Sequence, residues 1–200
     1  MANYHGHKLL EEHILKSHDN SDLEGKTIIE VGSVREYLEG QNSTGFFMDL
    51  CMKHNMKLIS VDMDPDCSAN VHKEAEKREF KNYEAITMKG EDYLKNIDIF
   101  DYLYLDGFDY YHDWHSDARK EKYKNILNTE ITNEGSWRSH LDMVEAVHKK
   151  GREHSLICID DVFSPVKGKG CTAIPFLLQN GWECLENNYH AAIFSNQSPP

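Results

Sequence analysis

Residues 26–64, KTIIEVGSVREYLEGQNSTGFFMDLCMKHNMKLISVDMD, constrain the fold more than any other stretch of the chain. A short apolar run (Thr27, Ile28, Ile29, Val31) ends in Glu30-Val31-Gly32-Ser33 and gives way to a polar loop. Apolar positions at helical spacing begin near Ser43, and a second apolar run (Leu58, Ile59, Val61) ends at Asp62. The pattern predicts one β-α-β unit with a small-residue turn after its first strand and a carboxylate at the tip of its second. In an open parallel sheet, ligands bind outside the carboxyl ends of the strands, so both features fall in one crevice. Glycine lets a ligand approach the backbone, and an acid at the next tip can accept both hydroxyls of a ribose. A nucleoside-type ligand is the first expectation.

The rest of the chain repeats the theme. Leu9, Leu10 and Ile14 predict a short helix over residues 8–17, packed on the sheet or capping the site, within an N-terminal helical segment, residues 1–24. The loop over 34–42 is longer and more polar than a minimal strand-to-helix connection, which marks it as a functional loop. Ser43 or Thr44 is positioned to cap the next helix, whose free N–H groups suit a carboxylate or phosphate. Asp64-Pro65 is a helix start, with Asp as cap and Pro at the first helical position. A third strand over 85–88, a short helix over 91–95 and a fourth strand over 101–105 follow. Residues 107–136, rich in Tyr, His, Trp, Asp and Lys, are where a substrate loop or lid would be built. A helix over 137–150, a fifth strand over 155–159, a helix over 170–179 and two short strands over 182–185 and 191–194 complete the chain, with 195–200 as a frayed tail.

Two hundred residues with 40% apolar and 28% charged content suit a single soluble domain, 1–200. The formal charge of −12 argues against a nucleic-acid partner, because affinity for a phosphate backbone comes from clustered Lys and Arg. No run approaches the roughly 20 apolar residues of a membrane span, and the first residues lack a signal-peptide core, so no membrane partner and a cytoplasmic location are expected. The five cysteines are widely spaced, without a CxxC pair, and read as reduced, packed thiols. His5, His7, His13 and His18 share no helical face and read as a solvated helix.

Carboxylates recur at successive strand tips: Glu30, Asp62, Glu91 with Asp92, Asp106, and Asp160 with Asp161. If the fourth and fifth strands are neighbours, Asp106 meets Asp160 and Asp161. Three such oxygens suit a hard divalent cation such as Mg²⁺, which would also neutralise their mutual repulsion.

In this order the motifs resemble those of the class I S-adenosylmethionine-dependent methyltransferases over residues 26–194, most of all the divalent-metal-dependent O-methyltransferases of the catechol type and their bacterial sugar- and antibiotic-modifying relatives. The resemblance implies an α/β fold: a doubly wound, mostly parallel seven-stranded sheet with an antiparallel C-terminal strand pair. It places Glu30, Gly32 and Ser33 at the methionine part of the cofactor, Ser43 and Thr44 at its carboxylate, Asp62 on the ribose, Met63 against adenine, and Glu91 and Asp92 at the adenine edge. Asp106 falls beside the cofactor and, with Asp160 and Asp161, at the metal. The single glycine of the first motif argues against a dinucleotide enzyme, which wants GxGxxG. Three residues beyond Asp106, where such families often carry a Lys or His base, this chain has Asp109; either Asp109 accepts the proton, or His112 or His115 reaches in from the loop to do so, or the base role is lost.

The implied activity is methyl transfer to a hydroxyl oxygen of a small molecule, assisted by a divalent cation that lowers the acceptor pKa. A metal-independent methyltransferase, in which Asp160 and Asp161 only cap the next turn, and a cofactor-binding protein without turnover are the alternatives. The acceptor and the oligomeric state are left open by the sequence.

Overall fold

The computed structural model of the protein describes residues 5–17, 20–35, 41–163 and 167–196. Among these, β1 (Thr27–Val31), β2 (Lys57–Asp62), β3 (Tyr83–Thr87), β4 (Phe100–Leu105), β5 (Gly151–Asp160), β6 (Trp182–Asn187) and β7 (Ala191–Asn196) form one seven-stranded sheet in the order β3-β2-β1-β4-β5-β7-β6. The first five strands are parallel, and β7 runs antiparallel to both β5 and β6. This is the doubly wound sheet with an antiparallel closing pair that the family resemblance implies.

Because both faces are covered, the central strands are apolar almost continuously rather than alternately. Ile28, Leu58, Tyr102, Tyr104, Leu156 and Cys158 pack toward α1 (Gly6–Ser17), α2 (Ser43–His54) and α3 (Pro65–Lys77). Residues at the alternate positions of the same strands, Ile29, Val61, Leu103, Leu105, Ile157 and Ile159, point the other way, toward α4 (Gly90–Asn96), α6 (Asn133–Val147) and α7 (Ala173–Gln179). A one-residue alternation thus sorts the strand side chains into two cores. The chain leaves β1 for β2 and β3 on one side, then crosses to β4 and β5 on the other. The switch point, where ligands bind in such sheets, therefore lies between the ends of β1 and β4.

Several boundaries differ from the sequence expectation for local reasons. Asp64 caps α3 as expected, accepting from the Asp66 N–H at 2.9 Å. α2 is capped by Asn42, which accepts from the Gly45 N–H at 2.8 Å, and not by Ser43 or Thr44, whose hydroxyls point elsewhere. α6 begins at Asn133, earlier than position 137, because Thr132 accepts from the Gly135 N–H at 3.0 Å. A further helix, α5 (Asp117–Leu127), lies in the region where no regular element was expected; Ser116 caps it, and Asn128 ends it with φ 52°. β7 includes positions 195 and 196, expected as tail, while 197–200, part of the 34–42 loop (36–40) and His18 lie outside the described residues. All five cysteines are free thiols. No helix among the described residues is long and apolar enough to cross a membrane.

Candidate functional site

Beneath the switch point lies a polar knot. β1 carries Glu30 into the core, where its fully buried carboxylate accepts from the hydroxyls of Ser43 (2.6 Å), Thr44 (2.8 Å) and Ser60 (2.6 Å). Burial dominates and pushes Glu30 up to about 7, against the opposing pull of the three hydroxyls. Thr44 also accepts from the Val34 N–H at 2.9 Å, and the Ser33 and Ser60 hydroxyls lie 3.0 Å apart. Three residues expected to touch a cofactor, Glu30, Ser43 and Thr44, thus engage one another through their side chains. Ser43 still borders a cavity, but Glu30 and Thr44 are completely covered.

Above the knot opens an inner cavity of about 480 Å³ bordered by Gly32, Asp62, Met63, Glu91 and Met143. Gly32 has φ 95°, and a Cβ there would collide with the Asp106 carbonyl oxygen, so the ends of β1 and β4 approach this closely only with glycine. Asp62, at the tip of β2, accepts the Ser33 and Asp64 N–H groups, each at 2.9 Å. Each carboxylate oxygen keeps a second lone pair for a ligand hydroxyl. Burial raises Asp62 above the ordinary carboxylate value, with those two N–H groups pulling the other way. Asp92 does not border the cavity; its half-exposed side chain pairs with Lys95 at 3.1 Å.

The roof of this cavity is α5. Ala118, Arg119, Lys122, Tyr123 and Ile126 line it from above. Lys122 crosses the opening to Asp64 and to Asp66, the latter at 3.0 Å. Tyr123 accepts the Asp109 N–H at 2.7 Å and packs edge-on against Phe108 at 5.0 Å. Residues 107–136 therefore carry a helix seated on the pocket.

A second, outer cavity of about 580 Å³ shares Arg35, Ser116 and Arg119 with the first. Between the two sits Asp109, 5% exposed, its Oδ1 accepting from Arg35 at 3.0 Å and its Oδ2 from Arg119 Nε at 2.6 Å. Both oxygens of this carboxylate are engaged by charge-assisted hydrogen bonds from guanidinium groups. Its geometry is that of a bolt between the loop after β1 and α5, rather than of the base expected at this position.

The three carboxylates expected to hold a metal do not converge. Asp160 turns toward α1: its Oδ1 accepts from the N–H groups of Asp161 (3.0 Å) and Gly6 (3.3 Å), and its Oδ2 accepts from the Tyr104 hydroxyl. Burial, then the Asp106 and Asp161 charges, push Asp160 up to about 7. Asp106 and Asp161 do meet, but on the ammonium of Lys169, which bonds Asp106 and lies 3.0 Å from Asp161. Burial alone would push Asp161 up, and the Lys169 charge holds it below its ordinary value. Burial opposes the Lys169 charge as well, yet the two aspartates hold that group above its usual range. A Mg²⁺ ion wants several open oxygen ligands around one point. An ammonium between two of the three carboxylates, with the third holding the Gly6 and Asp161 N–H groups and the Tyr104 hydroxyl, does not fit it, and no group of three His, Cys, Asp or Glu among the described residues is arranged for a metal.

Sequence reading missed Lys169 because it sits in a single 3-10 turn, Gly168–Gly170, where a helix start was expected. Gly168 has φ 66°, and a Cβ there would strike the Asp161 carbonyl oxygen; the Lys169 N–H donates to that same oxygen at 3.0 Å. From α6, Trp137 donates its indole N–H to the Gly168 carbonyl at 3.0 Å. The signal available was Gly-Lys-Gly eight residues past Asp160-Asp161.

The outer cavity is also rich in histidine. His112 and His115 stack at 3.6 Å, and His115 Nε2 donates to the Tyr110 carbonyl at 3.0 Å. Burial, then His115, hold His112 below its ordinary value. His5 and His7, expected on a solvated helix, border the same cavity instead, and burial pushes His7 down to about 4. Tyr110, Phe163 and Tyr189 form an aromatic chain at the mouth, with centroids 6.1 and 6.3 Å apart, beside Trp114, which is 87% exposed.

No protein-family model and no curated protein matches the sequence; the likeness is to solved structures. A Streptococcus mutans protein assigned as a methyltransferase, in complex with SAH, has a TM-score of 0.55 at 14% identity over 91% of this chain and 96% of that one. The O-methyltransferase NovP has a TM-score of 0.59 at 10% identity, over 96% of this chain and 78% of that one. An rRNA methylase from Streptococcus thermophilus has a TM-score of 0.52 at 9% identity, over 91% and 93%. At these identities the likeness is one of architecture: the chain has the seven-stranded, Rossmann-like fold of the class I methyltransferases.

Proposed function

We propose that the protein is an S-adenosylmethionine-dependent methyltransferase that binds its cofactor in the inner cavity and methylates a hydroxyl oxygen of a small molecule held in the outer one. The observation that carries this reading is the pair Gly32 and Asp62 at the switch point, opening into a cavity of ligand size that adjoins a second. Asp62 would accept the ribose hydroxyls, Met63 and Glu91 would face the adenine, and the backbone at Gly32 would meet the methionine part. When bound, the cofactor supplies a sulfonium methyl group whose carbon–sulfur bond breaks as the carbon–oxygen bond forms. His112, a neutral imidazole on the outer wall, accepts the proton released from the acceptor hydroxyl. Arg35, Asp109 and Arg119 hold the wall between the cavities in place.

The net charge of −12 and the acidic lining of the outer cavity support a neutral or cationic acceptor over a phosphate backbone. RNA is the second reading, because a similar fold bears the name of an rRNA methylase. Turnover on small polyols and none on RNA would support the first reading, and the reverse the second; cofactor binding with turnover on neither would support a binding protein.

Calorimetric titration with S-adenosylhomocysteine tests the cofactor site. Wild type should bind, and Asp62→Ala should weaken binding by about 10- to 100-fold, the loss of hydrogen bonds to a charged acceptor. Absence of binding by the wild type at about millimolar ligand, where even a weak specific site would register, overturns the reading. His112→Ala should lower kcat by about 10²-fold or more while leaving that affinity unchanged, as expected for loss of a proton acceptor.

A further inference from the structure

The carboxylates that resemble a metal site already hold a cation of the chain's own. We propose that Lys169 is a built-in counter-charge standing where a divalent ion would stand, and that it sets Asp106 and Asp161 to receive the acceptor's hydroxyl groups without a metal. The catalytic half of this inference rests on the methyltransferase reading; the cation half does not.

Three features place the ammonium. Its side chain is 2% exposed and contacts both Asp106 and Asp161, the latter at 3.0 Å. Its backbone is fixed by the left-handed Gly168, by the hydrogen bond from the Lys169 N–H to the Asp161 carbonyl, and by the Trp137 indole above. Asp106 and Asp161 border the outer cavity, whereas Lys169 lies behind them. The carboxylates therefore keep lone pairs toward an acceptor while the lysine cancels part of their repulsion from the rear.

A metal entering between Asp106 and Asp161 would have to displace this ammonium. The Lys169 side chain is buried, so displacement would leave a buried charge without its counter-charges. Asp160 is already committed to three donors, the Gly6 and Asp161 N–H groups on Oδ1 and the Tyr104 hydroxyl on Oδ2, so turning it onto an ion would break contacts that tie β5 to the first helix and to β4. Lys169 touches neither cavity, so it is a positioning residue.

Titration with Mn²⁺, followed by the loss of its free electron-paramagnetic-resonance signal, tests the assignment. The wild type should bind no Mn²⁺ at about 1 mM, a concentration that fills ordinary Mg²⁺-type carboxylate sites. Lys169→Met should create a site for about one ion per chain, since removing the ammonium exposes two facing carboxylates that demand a cation. That site should vanish in the Lys169→Met, Asp161→Asn double variant, and Mn²⁺ should raise the thermal midpoint of Lys169→Met only. Stoichiometric Mn²⁺ binding by the wild type, lost in Asp161→Asn, overturns the proposal, as does a folded Lys169→Met that binds none. If Lys169→Met does not fold, the wild-type titration alone decides. Failure of S-adenosylhomocysteine to bind, by contrast, removes the methyltransferase reading and leaves the ion result standing.

Discussion

Glu30→Ala is expected to destabilise the protein by about 3–5 kcal/mol, because it leaves three buried hydroxyls without their acceptor and opens a void under the sheet. Urea denaturation measures this directly, and a loss below about 1 kcal/mol would show that the knot contributes little. Glu30→Gln keeps the volume and should cost less, but it should change the response to pH. The carboxyl titrates near 7 in the folded protein against an ordinary 4.5. Between those values the folded state binds more protons than the unfolded one, so this group makes stability fall as pH rises from 4.5 to 7 and adds no slope above that. In Glu30→Gln that part of the slope should disappear. An unchanged profile would mean that Glu30 is not the group responsible.

Asp109→Ala should be comparably damaging, about 3–5 kcal/mol, since it leaves the Arg35 and Arg119 guanidinium groups facing each other with no counter-charge. Asp109→Asn is the more informative change. If Asp109 bolts α5 over the inner cavity, the variant should release S-adenosylhomocysteine at least about tenfold faster in stopped-flow measurements, because loosening a lid raises the off-rate. If Asp109 were instead the base, kcat would fall and the release rate would stay at its wild-type value.

The central strands were legible in the sequence because β1, β4 and the second half of β5 are short, largely buried apolar runs closed by Gly or an acid, and β2 ends the same way at Asp62. The Asp64-Pro65 helix start was legible for a similarly local reason: cap and first turn are adjacent in sequence. What the residues could not show is which polar groups choose one another. Ser43 and Thr44 begin a helix at the right place, but their hydroxyls turn down to Glu30, a choice made by the depth of β1. Asp106 and Asp161 were rightly brought together, yet their partner is a lysine supplied by a three-residue turn whose shape depends on Trp137, more than thirty positions earlier. Asp160 follows β5 into the layer beneath, where Tyr104 and α1 capture it. Strand periodicity fixes the tip a residue occupies, while the direction its side chain takes there depends on contacts distant in sequence. α5 was missed because seven of its eleven residues are polar and its few apolar ones form only a weak helical stripe, though Ser116 and Asn128 mark both its ends.

The first helix also bears on how the protein should be handled. His5 and His7 border the outer cavity, and the Gly6 N–H holds Asp160, so a Cβ at position 6 would sit 2.9 Å from that carboxyl. A purification tag joined directly to this helix would begin beside the outer cavity, and a polyhistidine tag would bring metal-binding imidazoles to the very place where ion affinity is in question. Fusions at the other end of the chain, followed by screening against acceptors, avoid reshaping the pocket whose selectivity is being measured.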